Sequence, residues 1–183
     1  MKWLTVAVPL LVAALSLIFD VVRVKGTSME PSLCDGDFAL VTAPWLSASH
    51  PRLGDILVLT HPASGELIIK RVVAVDGDRV RIEQGQLVRN GHPTVETYTC
   101  APDYFETWPY DTHPGLPESF TIPEGEVFVM GDNRSSSSDS RVFGSTPISS
   151  VRGYVATTLP SFSRSAVCSC RDASVPLSAV PKE

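Results

Sequence analysis

Leu67-Ile68-Ile69-Lys70-Arg71-Val72-Val73-Ala74-Val75, closed by Asp76-Gly77-Asp78, decides the fold class. Branched apolar residues dominate the segment and a turn signal ends it, so it reads as a strand. Side chains alternate faces along a strand. Ile68, Lys70, Val72 and Ala74 therefore share one face, and Ile69, Arg71, Val73 and Val75 share the other. Lys70 stands between apolar neighbours. Two readings are open: an edge-strand lysine that blocks aggregation, or a desolvated lysine whose pKa falls towards neutrality. Taken alone, the segment favours the first.

The rest of the chain repeats this pattern in shorter pieces. Residues 21–25, 37–42, 55–60, 79–83, 86–88, 126–130 and 152–157 are each rich in Val, Ile, Leu or Phe and bounded by Gly, Pro, Asp or Asn. Each is expected to be a strand. Asp76-Gly77 and Asn90-Gly91 are turn signals. With 15 prolines, 12 glycines and little helical periodicity after residue 20, the 183-residue chain predicts a mostly β body with many turns. Residues 91–120, rich in prolines and aromatics, are expected to be an insertion or lid, and the polar tail 161–183 to be loosely held. A hydrophobic share of 43% against 19% charged argues for a folded body. Net charge is −5 with no basic stripe, so no nucleic-acid partner is expected.

The first stretch, residues 3–19, has no charge between Lys2 and Asp20. A spanning helix needs ~20 apolar residues, with ~17 as the lower limit. The run ends Leu17-Ile18-Phe19-Asp20 rather than in a small-x-small site, which argues against a cleaved signal peptide. Only Thr5 and Ser16 are polar, which argues against a core helix with a polar face. Residues 1–20 are expected to form a retained transmembrane helix that anchors a body spanning residues 21–160. Lys2 precedes the span and Arg23 and Lys25 follow it, so local charge leaves the orientation open. Cys34, Cys100, Cys168 and Cys170 allow three disulfide pairings, or thiols left free. His50, His61, His92 and His113 are scattered through turn-like sequence; no metal and no cofactor is expected.

Three motifs gain meaning together. Gly26-Thr27-Ser28-Met29-Glu30-Pro31-Ser32-Leu33 is followed by Gly36-Asp37; Lys70-Arg71 is followed by Asp76-Gly77-Asp78; Gly131-Asp132-Asn133-Arg134 is followed by serines and then Ser138-Asp139-Ser140-Arg141. The alternating Asp and Arg of the third suggest ion pairs that fix a loop's shape, since Arg holds a carboxylate bidentately. In order and spacing, the set resembles the signal peptidase I family from about Val21 to about Pro160. Ser-Met-x-Pro resembles the family's nucleophile box and Lys-Arg with Gly-Asp its general-base box. Gly-Asp-Asn-Arg with Ser-x-Asp-Ser-Arg resembles the third and most specific box.

The resemblance implies an antiparallel β-sheet catalytic domain outside the plasma membrane, held by one N-terminal transmembrane helix. Its substrates would be exported preproteins carrying signal peptides, met at the lipid bilayer. Residue by residue, it implies Ser28 as nucleophile, Lys70 as general base, and Ser137 as the serine that orients the lysine. It implies Asp139 and Arg141 as a structural ion pair, Arg71 and Asp132 as buttresses, and Val24, Met29, Leu33 and Ile69 as walls of shallow substrate pockets. Many members carry a serine two residues before the nucleophile, where its hydroxyl helps hold the oxyanion. Here that position is Gly26, and the resemblance implies that a side chain would be accommodated there.

These residues suit the chemistry. A serine that cleaves an amide needs a base for its hydroxyl proton, and no histidine lies in a motif. A lysine serves if its pKa falls from ~10.4 towards operating pH, and Ile68 and Val72 would disfavour its ammonium form. Ser28 lies eight residues beyond Asp20. At a maximum of ~3.6 Å per residue, the connecting chain reaches at most ~29 Å, so cleavage would occur near the bilayer surface. Trp45 and Leu46 either seat the domain at that interface or pack in its core. Three rival functions remain. A relative of the same clan could mature one particular precursor. A Ser-Lys self-cleaving DNA-binding regulator would need a helix-turn-helix domain where this chain has an apolar span. An inactive membrane-tethered binding module would have no need of both Ser28 and Lys70.

Overall fold

The computed structural model describes residues 8–9, 18–46, 50–83, 86–99 and 119–159. Within them, eleven strands form two antiparallel sheets. In chain order these are β1 (Phe19–Arg23), β2 (Phe38–Thr42), β3 (Ile56–Thr60), β4 (Leu67–Val75), β5 (Arg79–Glu83), β6 (Gln86–Arg89), β7 (His92–Pro93), β8 (Phe120–Thr121), β9 (Glu126–Met130), β10 (Thr146–Pro147) and β11 (Val151–Leu159). The larger sheet runs β1-β2-β11-β3-β4-β9-β10 and the smaller β7-β6-β5-β8. A four-residue helix, α1 (Ser140–Phe143), and two one-turn 3₁₀ helices lie between β9 and β11.

The deciding segment, β4, pairs with β3 on one side (Leu57 opposite Lys70) and with β9 on the other (Arg71 opposite Met130). Lys70 is thus on a central strand, which removes the edge-strand reading. Two expected strands shift by more than one residue at an end. β1 starts two residues early because Phe19 already faces Thr42, and its ladder stops at Arg23, ahead of the bend at Gly26. β11 is longer than expected because it pairs with β3 through Val151–Tyr154 and then with β2 through Tyr154–Leu159, with register irregularities on both sides.

Three apolar clusters hold the sheets. Val24, Met29, Leu33, Ala39, Val41, Ile56 and Val58 form one. Val73, Ala74, Val80, Leu87, Ile122, Phe128 and Met130 join the two sheets. Leu57, Leu59, Val72, Val127, Val129 and Val151 form the third, with Ile68 packed against it. Successive residues are buried over Ile56–Leu59 of β3, Lys70–Ala74 of β4 and Val127–Met130 of β9, so both faces of these strands are covered there.

Among the described residues no helix is long and apolar enough to cross a membrane. The expected anchor lies almost wholly outside them, as do residues 101–118 of the expected lid and the tail 161–183. The described part of the 91–120 stretch leaves the small sheet at β7 and rejoins it at β8, its opposite edge. Cys34 is disulfide-bonded; Cys100, Cys168 and Cys170 fall outside the described residues. Trp45 and Leu46 are exposed rather than packed in the core.

Candidate active site

Ser28 sits in the loop joining β1 to β2. The loop closes on itself through Val24 N–H to Asp37 O (2.8 Å), Gly36 N–H to Val24 O (3.0 Å) and Leu33 N–H to Met29 O (2.9 Å). Gly26 N–H donates to Asp35 Oδ1 at 2.7 Å. Val24, Met29 and Leu33 point into the first apolar cluster, against which Ile69 of β4 also packs. The four residues expected to wall the substrate pockets therefore meet in one place, and the first three are buried. Their shared packing holds the loop beside β4 while Ser28 itself stays half-buried at the surface.

Lys70 reaches the loop from the middle of β4. Its Nζ lies 2.9 Å from Ser28 Oγ and 3.0 Å from Ile69 O. The lysine is 3% exposed. Burial pushes its pKa below the ordinary lysine value; Asp139 opposes that shift, Arg141 adds to it and Asp132 opposes it. Burial disfavours the ammonium, so the amine spends more of its time neutral at a given pH. A neutral amine can accept the Ser28 hydroxyl proton across the same contact.

The third motif follows β9 and folds beneath the pair. Asn133 N–H donates to Ser28 O at 3.1 Å. A β-carbon on Gly131 would lie 2.4 Å from Ser28 O and 2.2 Å from Ser137 Oγ, so the backbone approach needs glycine. Asp139, fully buried, caps α1 and gathers donors: Gly131 N–H (2.9 Å), Ser137 Oγ–H (2.7 Å), and Arg141 through Nε (2.6 Å) and Nη2 (2.7 Å). The expected Asp139–Arg141 pair is therefore present and bidentate. Arg71 likewise grips Asp132 through Nε (2.8 Å) and Nη2 (2.7 Å), and donates to Gly54 O and Ser32 Oγ. Charge pairs this buried persist because nearly every donor and acceptor is matched.

Two expectations change. Ser137 donates to Asp139, and Lys70 bonds to Ser28 and Ile69 O; no hydrogen bond joins Ser137 to Lys70. Ser137 Oγ is thus engaged with the Asp139 cluster, while the Lys70 amine is held by Ser28 Oγ and the Ile69 carbonyl. Gly26 has φ +86°, with nothing within 4 Å of a built β-carbon. Space would admit a side chain, as the resemblance implied, but the backbone there disfavours one.

Glu96 and Tyr98 were not expected. Both come from the turn-rich stretch after β7, where no periodicity marks a side chain as buried. Glu96 pairs with both terminal nitrogens of Arg134, and the Tyr98 ring lies 4.2 Å from the Arg71 guanidinium carbon. No group of three or more His, Cys, Asp or Glu among the described residues is placed to hold a metal ion. The arrangement can do one thing well: pass a proton between a hydroxyl and a desolvated amine beside an open face.

A family model described as "Signal peptidase, peptidase S26" matches residues 1–159. The chain is 35% identical over 156 residues to a probable signal peptidase I-1 of Synechocystis sp., covering 79% of this chain and 74% of that protein. It is 30% identical over 141 residues to the chloroplastic thylakoidal processing peptidase 1 of Arabidopsis thaliana, covering 71% of this chain and 38% of that one. A crystal structure of a signal peptidase I from Enterococcus faecalis V583 aligns with 30% identity and a TM-score of 0.47, over 60% of this chain and 99% of the other.

Proposed function

The chain belongs to the signal peptidase family of S26 peptidases, and on that premise we propose that it is a membrane-anchored endopeptidase that removes signal peptides through a Ser28–Lys70 dyad. The observation that carries this reading is the 2.9 Å contact between Lys70 Nζ and Ser28 Oγ, made by a lysine that burial keeps inclined to neutrality. Lys70 takes the hydroxyl proton as Ser28 Oγ attacks the scissile carbonyl. The resulting ammonium returns that proton to the departing amine. Lys70, neutral again, then activates the water that releases the acyl group from Ser28. The Ser28 backbone N–H supplies one donor to the oxyanion.

Arg71–Asp132 and Asp139–Arg141 hold the strand and loop from which the dyad projects, and Ser137 acts with them through Asp139. Val24, Met29 and Leu33 of the nucleophile loop, with Ile69 of β4, wall pockets that admit only small side chains, chiefly Ala, one and three residues before the cut. The segment ahead of β1 anchors the body at the plasma membrane, with the active site on the extracytoplasmic side; the expected bound at residue 20 moves back because Phe19 and Asp20 pair with β2. Ala43 N–H bonds Ile18 O at 2.9 Å, which brings exposed Trp45 and Leu46 beside the point where the chain leaves that segment. An aromatic and a leucine there suit the headgroup zone.

The test is cleavage of a precursor with an Ala-x-Ala site by the full chain in detergent. Ser28→Ala and Lys70→Ala each abolish turnover with the fold intact, and the two losses do not add, because the residues act as one unit. A Lys70→Ala enzyme with near-normal turnover refutes the assigned base. In membranes, the protein stays in the pellet through a carbonate wash; release by carbonate refutes the anchor.

A further inference from the structure

We propose that Glu96 is a positioning residue for this reaction, tying together the two arginines that set the nucleophile loop against β4; this rests on the Ser28–Lys70 reading above. Glu96 is not in any of the three motifs, yet its side chain is only 4% exposed. Its Oε2 accepts from Arg134 Nη1 at 2.7 Å, and its Oε1 accepts from Arg134 Nη2 and from the Tyr98 hydroxyl, the latter at 2.8 Å. Thr99 Oγ donates back to Glu96 O at 3.1 Å, closing the turn that presents the carboxylate.

Each of its two neighbours leads to the dyad by a short path. Arg134 Nε donates to Gly131 O (2.9 Å), and Arg134 O accepts from Arg141 Nη2 (3.0 Å). Gly131 is the residue on which a β-carbon would lie 2.4 Å from Ser28 O. The Tyr98 ring covers Arg71, which holds Asp132 at 2.7–2.8 Å and Ser32 Oγ at 3.1 Å, the latter four residues after the nucleophile. Burial first, and then the Glu96 carboxylate, push the Tyr98 phenol up, so its hydroxyl stays a donor. One carboxylate thus fixes, through Arg134, the floor under Ser28 and, through Tyr98, the arginine beside its loop.

A buried ion pair is weak evidence for stability, because desolvation offsets much of its attraction. It is better suited to fixing geometry. Removing the Glu96 charge weakens the hold on Arg134 and with it the bond to Gly131 O, the loop loosens, and the Ser28–Lys70 contact lengthens. Misplacement by about 1 Å can cost ~10² in rate. Looser packing also admits water to Lys70, which weakens the desolvation that depresses its pKa.

The experiment compares full-chain Glu96→Gln, Tyr98→Phe and Ser28→Ala in detergent, measuring kcat, KM, the acidic limb of the pH profile, and folded fraction by near-ultraviolet circular dichroism. Expected for Glu96→Gln is at least about a ten-fold fall in kcat per folded molecule, KM within about two-fold, and an acidic limb moved to higher pH. Tyr98→Phe keeps the ring on Arg71 and the ion pair but removes the hydroxyl. It falls by a smaller factor in kcat, again with KM held, and it tests the proposal even where Glu96→Gln does not fold. The proposal is overturned if folded Glu96→Gln loses thermal stability while kcat and the limb stay put, or if folded Tyr98→Phe turns over at the native rate. Residual cleavage by Ser28→Ala would instead sink the dyad reading, which separates the two failures.

Discussion

Gly131→Ala puts a methyl group where the backbone has no room for one. Its β-carbon would lie 2.4 Å from Ser28 O, 2.2 Å from Ser137 Oγ and 2.5 Å from Ser137 Cβ, whereas ordinary contact begins at 3.4 Å. Rotation can move Ser137 Oγ away, but Ser137 Cβ and the Ser28 carbonyl are fixed by the backbone and cannot turn aside. The nucleophile loop must therefore retreat by about 1 Å, enough to stretch the 2.9 Å Ser28–Lys70 contact beyond hydrogen-bonding range. A displacement of that size can cost ~10² in rate, so kcat should fall about a hundred-fold. Overpacking costs about 1–3 kcal/mol, and at this chain length each kcal/mol lowers Tm by about 2–4 °C, so the protein stays folded at assay temperature. The assay is kcat on an internally quenched Ala-x-Ala peptide, with Tm from circular dichroism. Ser137→Gly in the same chain should not restore the rate, because the Ser28 O contact remains. A Gly131→Ala enzyme within about three-fold of native kcat would show that the loop can move without loss, and the role assigned to this close approach would be wrong.

The acidic limb of kcat/KM should report Lys70 at a pH well below the ordinary ~10.4, because burial lowers its pKa and only the neutral amine is a base; a limb at the ordinary value refutes the desolvation argument. The same shift makes stability rise with pH between the folded and unfolded pKa values, since the unfolded chain binds the extra proton there, and urea titrations across that window should show it. Gly26→Ala and Gly26→Ser should each lose about 1–2 kcal/mol to the φ of +86° with no steric clash, and Ser should match or exceed Ala in kcat; undiminished stability in both refutes the backbone cost. Arg71→Lys should destabilise by about 3 kcal/mol in urea titrations, because an ammonium cannot replace the bidentate grip on Asp132 or the bond to Gly54 O; a loss below about 1 kcal/mol refutes that grip.

Ser28 and Lys70 were picked out by resemblance: the β4 segment alone favoured an edge-strand lysine, and only the order and spacing of the three motifs pointed to the pair. Strands β3, β4 and β9 were readable because branched apolar residues dominate them and turn residues bound them. β7, β8 and β10 were not, since two residues each carry no alternation. Strand order is non-local, and nothing in residues 152–157 says that they pair with β2 and β3 rather than with their chain neighbours. Glu96 and Tyr98 were hidden for a related reason: their burial depends on Arg134 and Arg71, 38 and 27 positions away in the chain. Ser137 was assigned to the lysine from resemblance alone, and its actual partner follows from charge: Asp139 is two residues on and anionic.

The insertion of β11 between β2 and β3 has a consequence for timing. β1 and β2 carry the loop with Ser28, while β3 and β4 carry Lys70, and the strand that hydrogen-bonds these halves together follows both in the chain. A chain without residues 151–159 has both reacting groups but lacks the strand that pairs with β2 and β3. Contacts of such long sequence separation form late, because the intervening loop must close first. Alignment of Ser28 with Lys70 therefore waits on a strand that follows both in the chain, and activity is expected only once residues 151–159 have paired with β2 and β3.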